Sequence, residues 1–496
     1  MNERKGIIMA IDTTVQTFKN LINGEWMDSI SNATFESKNP AKVTDIVGRF
    51  QASVEADVIL AMESAERAFQ SWRNVSPTKR AELLYKAADL LEARLEQYAE
   101  ELTREEGKTL ASSRMEVKRS AQTLRYYAFE GLNISGETLP SEDPTISIYT
   151  KKEPLGVVTV ITPWNFPISI PVRKIAPALA TGNTVVFKPA SDTPLIALRL
   201  VQALHDAGLP AGVINFITGS SSQTGNALVT HPAVKAVTFT GSTRAGETIQ
   251  RSVRLSTRVQ LELGGKNPLL VMEDADVEQA SELAIKGGFE LTGQACTGTS
   301  RVIVMEEVHD RFIHALIEKT KKLSIGNGCL QGVEIGPLAN ASQLKNVLAY
   351  IEIGKEEGAT LVYGGEQLTG GEYADGYFVQ PAIFTDVTPS MRIAQEEIFG
   401  PVISVLRVTS FEEAMLIANG VEYGLSAAIC TLNPVRIQHF VNNIQSGVVK
   451  VNRPTTGNAP HVPFGGVKMS STATYRESGR GALEFYTQMK SVYHGI

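Results

Sequence analysis

Cysteine is nearly absent: Cys296, Cys329 and Cys430 are the only three in 496 residues, too few and too far apart for a disulfide framework or a thiolate zinc cluster. Histidine offers no metal site either, because the seven residues, including His205, His231, His309 and His314, show no His-Glu-x-x-His or similar spacing. No run reaches the roughly 18 continuous apolar residues of a membrane span. The opening Met1–Ala10 has too short an apolar run for a secretory signal. Neither charge sign dominates, and a net charge of −6 supplies no global attraction to nucleic acid or to an anionic membrane. Internal repeats, low-complexity tracts and flexible linkers are missing too. These absences predict a cytoplasmic protein that binds neither nucleic acid nor membrane and whose partners are small metabolites. Glycosylation triplets at Asn32, Asn133 and Asn340 then carry no meaning, since that motif works only in a secreted chain.

What is present is a soluble globular composition, 43% hydrophobic and 20% charged, on a chain long enough for more than one lobe. Val58, Ile59, Met62, Ala65 and Phe69 share one helical face, as do Leu83, Leu84, Ala87, Leu90, Leu91 and Leu95. Short β-rich runs then alternate with helical stretches: Gly156 to Thr162, Thr184 to Phe187, Val213 to Thr218, Ala236 to Thr240 and Val259 to Leu263. That alternation predicts a parallel sheet covered by helices on both faces. A second series starts near Asn267–Met272, with helical pattern from Val277 and strands at Arg301 to Met305 and Val402 to Leu406. Two closely packed α/β lobes with a site between them are expected.

The chemistry concentrates in two segments. Leu261-Glu262-Leu263-Gly264-Gly265-Lys266 sets a carboxylate beside two glycines, and Gly293-Gln294-Ala295-Cys296-Thr297 sets a thiol on a small-residue turn before a strand. Together they supply a base and a nucleophile on backbone that permits close approach. Cys329 and Cys430 lack such surroundings and read as structural. No Gly-x-Gly-x-x-Gly occurs, yet Gly241-Ser242-Thr243-Arg244-Ala245-Gly246 follows a strand and opens a helix, so its amides suit a pyrophosphate. Lys188 ends the strand from Thr184, where ligands bind in open α/β sheets.

With Pro163-Trp164-Asn165-Phe166-Pro167, Phe187-Lys188-Pro189-Ala190, Phe239-Thr240-Gly241-Ser242-Thr243, Glu396-Glu397-Ile398-Phe399-Gly400-Pro401 and Pro463-Phe464-Gly465-Gly466, these segments make seven ordered motifs. They resemble the aldehyde dehydrogenase superfamily from about Ile22 to the C-terminus. The resemblance implies the aldehyde dehydrogenase α/β fold: two Rossmann-like parallel-sheet lobes plus a β-rich oligomerisation arm. Residues 1–131 and 154–266 map to a cofactor-binding domain, 267–475 to a catalytic domain, and 132–153 with 476–496 to the arm of a homodimer or homotetramer. It further implies Cys296 as nucleophile, Asn165 as oxyanion donor and Glu262 as the base that activates water. The nicotinamide cofactor would meet Thr162, Pro163, Trp164, Lys188, Ser191, Gly225, Phe239, Gly241, Ser242, Gly246, Leu263, Glu397 and Phe399. Many NAD-preferring relatives carry an acid where this chain has Ser191, so NADP is the preferred expectation over NAD, the serine removing a charge that would repel a 2′-phosphate. Ser191 also reads as a cap for a helix beginning near Thr193.

Two arginines point to the substrate by the same resemblance. Arg173 stands where semialdehyde dehydrogenases place a carboxylate anchor, and Arg453 in Asn452-Arg453-Pro454-Thr455-Thr456-Gly457 borders the substrate mouth, with Phe166 lining it; a guanidinium suits a carboxylate through paired hydrogen bonds. Glu290 replaces an arginine common in succinic semialdehyde dehydrogenases, and the Asn-Arg-Pro-Thr-Thr-Gly run is similar to that of 2-oxoglutarate semialdehyde (2,5-dioxopentanoate) dehydrogenases. Oxidation of that aldehyde to 2-oxoglutarate is the leading expectation, with succinic semialdehyde or a broad aldehyde range as alternatives. A residue at 262 able to activate water disfavours an acylating enzyme that hands its thioester to coenzyme A. From another class, a cofactor-independent thioesterase or esterase, or an inactive structural relative, stays open.

Overall fold

The computed structural model describes residues 15–472 and 474–495; Met1–Ala10, read above for a signal, lies outside them. Two seven-stranded sheets organise the chain. The first runs Arg258–Glu262, Val234–Thr240, Val157–Ile161, Thr184–Lys188, Ile214–Phe216, Asn20–Ile22, Glu25–Met27. Its first five strands are parallel and the last two form an antiparallel edge hairpin. Alternate side chains explain why these strands read as unbroken apolar runs. Val158, Val160, Val185 and Phe187 enter one core, while Val157, Ile161, Val186 and Phe239 enter another on the opposite face.

The second sheet runs Thr360–Tyr363, Ala382–Thr385, Val402–Val408, Thr299–Met305, Asn267–Val271, Ser426–Cys430, Val448–Val451, parallel except for its first strand. Strand Arg258–Glu262 passes through only Leu263–Lys266 into Asn267–Val271, so the two sheets are joined head to tail. The carboxyl ends of the first sheet therefore face segments that lead into the amino ends of the second.

Two local readings change. The helix from Pro77 stops at Ala93, where Arg94 leaves helical geometry (φ −109°, ψ 19°), and Leu95 opens a separate helix to Glu106. Where the arm is expected, Thr138–Leu139, Ile146–Pro154 and Thr487–Gly495 form a separate three-stranded sheet. Residues 476–486 do not belong to it, because Ala482, Leu483, Phe485 and Tyr486 are buried in the first lobe's core beside Tyr127. No helix among the described residues is long and apolar enough to cross a membrane.

Candidate active site

Cys296 follows a tight turn in which Leu291, Thr292 and Gly293 all take left-handed backbone (φ 57°, 55° and 68°). A Cβ at Gly293 would lie 2.1 Å from the Gly400 carbonyl, so only glycine fits there. Thr292 Oγ1 donates to the Gly336 carbonyl (3.0 Å), and Asn267 Nδ2 donates to the Cys296 carbonyl (2.8 Å). The Cys296 thiol is pushed up to about 12, first by burial and then by Glu397, Glu262 and Glu477, with Arg173 opposing. In this arrangement the sulfur rests as a thiol.

Asn165 is buried just past strand Val157–Ile161. Its Nδ2 donates to the Gln294 carbonyl (2.9 Å), two residues from Cys296, while its Oδ1 has no partner among the described residues. A carboxamide nitrogen carries two hydrogens, so one fixes the group and the other stays available. Glu262 accepts from Ser471 Oγ (2.6 Å), and its other oxygen is buried with no partner among the described residues. Gly465 leaves room at that oxygen, since an added Cβ would come within 2.8 Å of it. Burial, then Glu477, hold the Glu262 carboxyl well above its ordinary range, with Ser471, Lys174 and Arg476 opposing. Glu397 accepts from the Gly265 amide (2.9 Å) and is raised to about 7 by burial. Gly264 is required beside it, because a Cβ would meet Glu397 Oε2 at 2.4 Å.

The two nominated arginines stand in different surroundings. Arg173 is half-buried, 5.9 Å from the Phe464 ring centre, and its charge acts on Cys296. Arg453 is exposed past strand Val448–Val451, and its charge acts on Lys450 instead. Phe166 lies 4.6 Å beneath the Lys108 ammonium.

The sequence matches the Aldehyde dehydrogenase family over residues 26–492. The chain belongs to that family. It is 48% identical over 486 residues to alpha-ketoglutaric semialdehyde dehydrogenase of Bacillus subtilis, covering 98% of this chain and 99% of that one. It is 46% identical over 460 residues to 2,5-dioxopentanoate dehydrogenase of Saccharolobus solfataricus, covering 92% and 95%. Among solved structures, betaine aldehyde dehydrogenase from Staphylococcus aureus in complex with NAD+ superposes with a TM-score of 0.94 at 34% identity, covering 96% and 94%. This aldehyde dehydrogenase is accordingly an oxidoreductase that uses a nicotinamide cofactor.

The residues nominated for that cofactor lie along the carboxyl ends of the first sheet. The Thr162 amide donates to the Lys188 carbonyl (3.3 Å), and Trp164 meets Phe399 edge to face at 5.4 Å. Phe399 itself has left-handed backbone, φ 58°. The Gly241 amide donates to the Glu262 carbonyl (3.1 Å), Gly241 packs against Phe239, and Gly246 accommodates Leu263. Ser242 caps helix Thr243–Ser252, while Gly225 in helix Ser221–Thr230 would have open room around an added Cβ. Lys188 Nζ donates to the Pro189 carbonyl (3.0 Å) and makes no ion pair among the described residues; burial brings it down to about 8, with Asp192 opposing.

Ser191 does not cap the next helix. Helix Pro194–Asp206 starts after Thr193, and its first amides, from Leu195 and Ile196, donate to the buried Glu105 carboxylate (2.6 and 3.0 Å). With that role taken, Ser191 Oγ donates to the Gly219 carbonyl (3.1 Å). Sequence reasoning passed over Asp192, whose carboxyl accepts from Asn340 Nδ2 (3.2 Å) and acts on Lys188. It also missed Lys108, Glu116, Lys174, Ser471 and Glu477. Only Phe464 carried a signal, sitting inside a quoted motif.

Proposed function

We propose that this enzyme oxidises 2-oxoglutarate semialdehyde to 2-oxoglutarate, with NADP preferred over NAD. The observation that carries the substrate reading is Arg173: a half-buried guanidinium with no ion pair among the described residues, whose charge acts on Cys296. A carboxylate on the substrate is the partner such a group lacks. The names of the two semialdehyde relatives support the same aldehyde.

The nicotinamide group fits the residues present. Lys188 is a buried cation bonded only to its neighbour's carbonyl, and the capped start of helix Thr243–Ser252 faces the same strand ends. Lys188, Ser191 and the Gly241–Gly246 turn would hold the adenosine and phosphate half, and Glu397 with Trp164 and Phe399 the nicotinamide half. When bound, the oxidised nicotinamide supplies the hydride acceptor. Cys296 gives its proton to solvent water and attacks the aldehyde carbon as the thiolate, forming the S–C bond as the C=O π pair moves onto oxygen and places negative charge there. The free hydrogen of Asn165 Nδ2 and the Cys296 backbone amide stabilise that oxygen. Loss of hydride leaves a thioester on Cys296, and Glu262 takes a proton from the water that hydrolyses it. Glu262 must first lose its own proton, which Lys174 and Arg476 favour. A cofactor-independent cysteine hydrolase is disfavoured because the chain belongs to the Aldehyde dehydrogenase family over residues 26–492.

The first sheet reads as the cofactor lobe and the second as the catalytic lobe. Leu139, Tyr149, Met489 and Tyr493 expose apolar surface on the arm sheet, which supports a homo-oligomer, dimer or tetramer. Three unpaired cysteines suit a reducing cytoplasm.

Initial rates with 2-oxoglutarate semialdehyde, succinic semialdehyde and a neutral aldehyde, each with NAD and NADP, test the reading. The expected result is the highest kcat/KM for the first aldehyde with NADP. Arg173→Ala should raise KM for both carboxylate-bearing aldehydes by about 10- to 100-fold, the loss of a charge-assisted contact of roughly 1.5–3 kcal/mol, and leave the neutral aldehyde unchanged. Equal loss on the neutral aldehyde would remove the carboxylate anchor.

A further inference from the structure

Lys108 is a lysine with nowhere to go. Helix Leu95–Glu106 ends on Gly107 in left-handed backbone (φ 98°), and Thr109 caps helix Leu110–Glu130, so the single residue between them is fixed at both sides. Gly328 presses on it from the second lobe: a Cβ there would lie 2.4 Å from the Lys108 carbonyl, and the Leu110 amide donates to the Gly328 carbonyl (2.9 Å). The side chain is 1% exposed.

Its three ammonium hydrogens have three destinations. Nζ donates to Glu116 Oε2 (2.5 Å) and to the Asn165 carbonyl (2.7 Å), and it stands 4.6 Å over the Phe166 ring. Glu116 then spends its other oxygen on the same loop, accepting from the Ile168 and Ser169 amides (3.2 and 3.1 Å). The pair thus grips residues 165 to 169 from the carbonyl of one end and the amides of the other. A buried ion pair is poor evidence of stabilisation, since apolar replacements of similar size are often neutral or better. What this pair does is hold the Asn165 backbone while Nδ2 bonds the Gln294 carbonyl, and the two together set where the spare Nδ2 hydrogen points.

We propose that Lys108, held by Glu116, is a positioning residue that aims the Asn165 amide at the oxygen developing negative charge on the Cys296 adduct. This rests on Asn165 being the oxyanion donor, and the experiment separates the two. Single-turnover formation of reduced nicotinamide is measured in the full-length enzyme for Lys108→Met, Glu116→Gln, Asn165→Ala and the Lys108→Met/Asn165→Ala double variant. Alkylation of Cys296 by iodoacetamide and thermal unfolding are followed alongside.

Removing an oxyanion donor outright costs ~10²–10³ in rate, so a misaimed donor should cost about tenfold or more in Lys108→Met. KM and the alkylation rate should stay near wild type. In the Asn165→Ala background the Lys108→Met loss should shrink to within about twofold, because coupled residues are not additive. Glu116→Gln keeps the shape and an oxygen acceptor and should show the same pattern more weakly, so it carries the test if Lys108→Met fails to fold. Wild-type acylation in both single variants, or a Lys108→Met loss undiminished beside Asn165→Ala, would overturn the positioning role. Wild-type acylation in Asn165→Ala would instead overturn the oxyanion reading beneath it.

Discussion

The two sheets share a strand count and a parallel order, yet they treat their carboxyl ends in opposite ways. In the first, the chain reverses direction between Val157–Ile161 and Val234–Thr240, and the crevice there is left to Thr162, Lys188 and the Gly241 turn. In the second, the corresponding reversal lies between Asn267–Val271 and Ser426–Cys430, and it is stitched shut. Asp274 accepts from Thr431 Oγ1 (2.8 Å) and the Leu432 amide (2.9 Å), while the Thr431 amide donates to Asn452 (3.1 Å). One sheet offers the crevice that open α/β folds generally use. The other closes its own and contributes instead the segments entering its strands, which carry Cys296 and Glu397. Under the function proposed above, binding and bond-making fall to opposite ends of two similar sheets.

That division can be broken at its chemical end first. Glu262→Gln removes the base at the junction between the sheets and should cut steady-state turnover by roughly 10²–10⁴. A burst of reduced nicotinamide equal to the enzyme concentration should survive, because thioester formation precedes the step that needs Glu262. Loss of the burst as well would mean that the carboxylate also serves Cys296. Next, Asp274→Ala unstitches the second crevice. It should lower stability in urea unfolding by about 1 kcal/mol and leave KM for cofactor and aldehyde unchanged; a changed cofactor KM would show that the closed crevice also takes part in binding.

The smallest effect is one of pH. Lys188, lowered to about 8 by burial, is charged below that pH and neutral above it. If it pairs with a 2′-phosphate, KM for NADP should rise as pH climbs through about 8, while KM for NAD changes less. Parallel profiles for both cofactors would detach Lys188 from the phosphate.

Much of this architecture was legible. Buried parallel strands betray themselves as Val- and Ile-rich runs, and the loops at their ends carry glycines where Glu397 Oε2 or a carbonyl leaves no space for a Cβ. Lys108 and Glu116 were not legible. At eight residues apart in polar sequence they read as solvated side chains, and it is the distant loop from Asn165 to Ser169 that covers them. Ser191 misled for a related reason: a serine three residues before a proline-led helix looks like a cap, but the distant Glu105 had taken the position. The C-terminal boundary slipped because 476–486, polar at its start, docks onto the first core.

One feature bears on how this protein would respond to selection. Leu291 and Thr292 hold left-handed backbone just before the nucleophile, a conformation that costs roughly 1–3 kcal/mol per non-glycine residue. Glycine at position 291 would relieve part of that cost, and would also slacken the turn that sets the sulfur in place; at 292 it would forfeit the Thr292 bond to the Gly336 carbonyl. A population bred for heat tolerance alone would therefore find easy gains at this turn, and its survivors would be sturdier and slower.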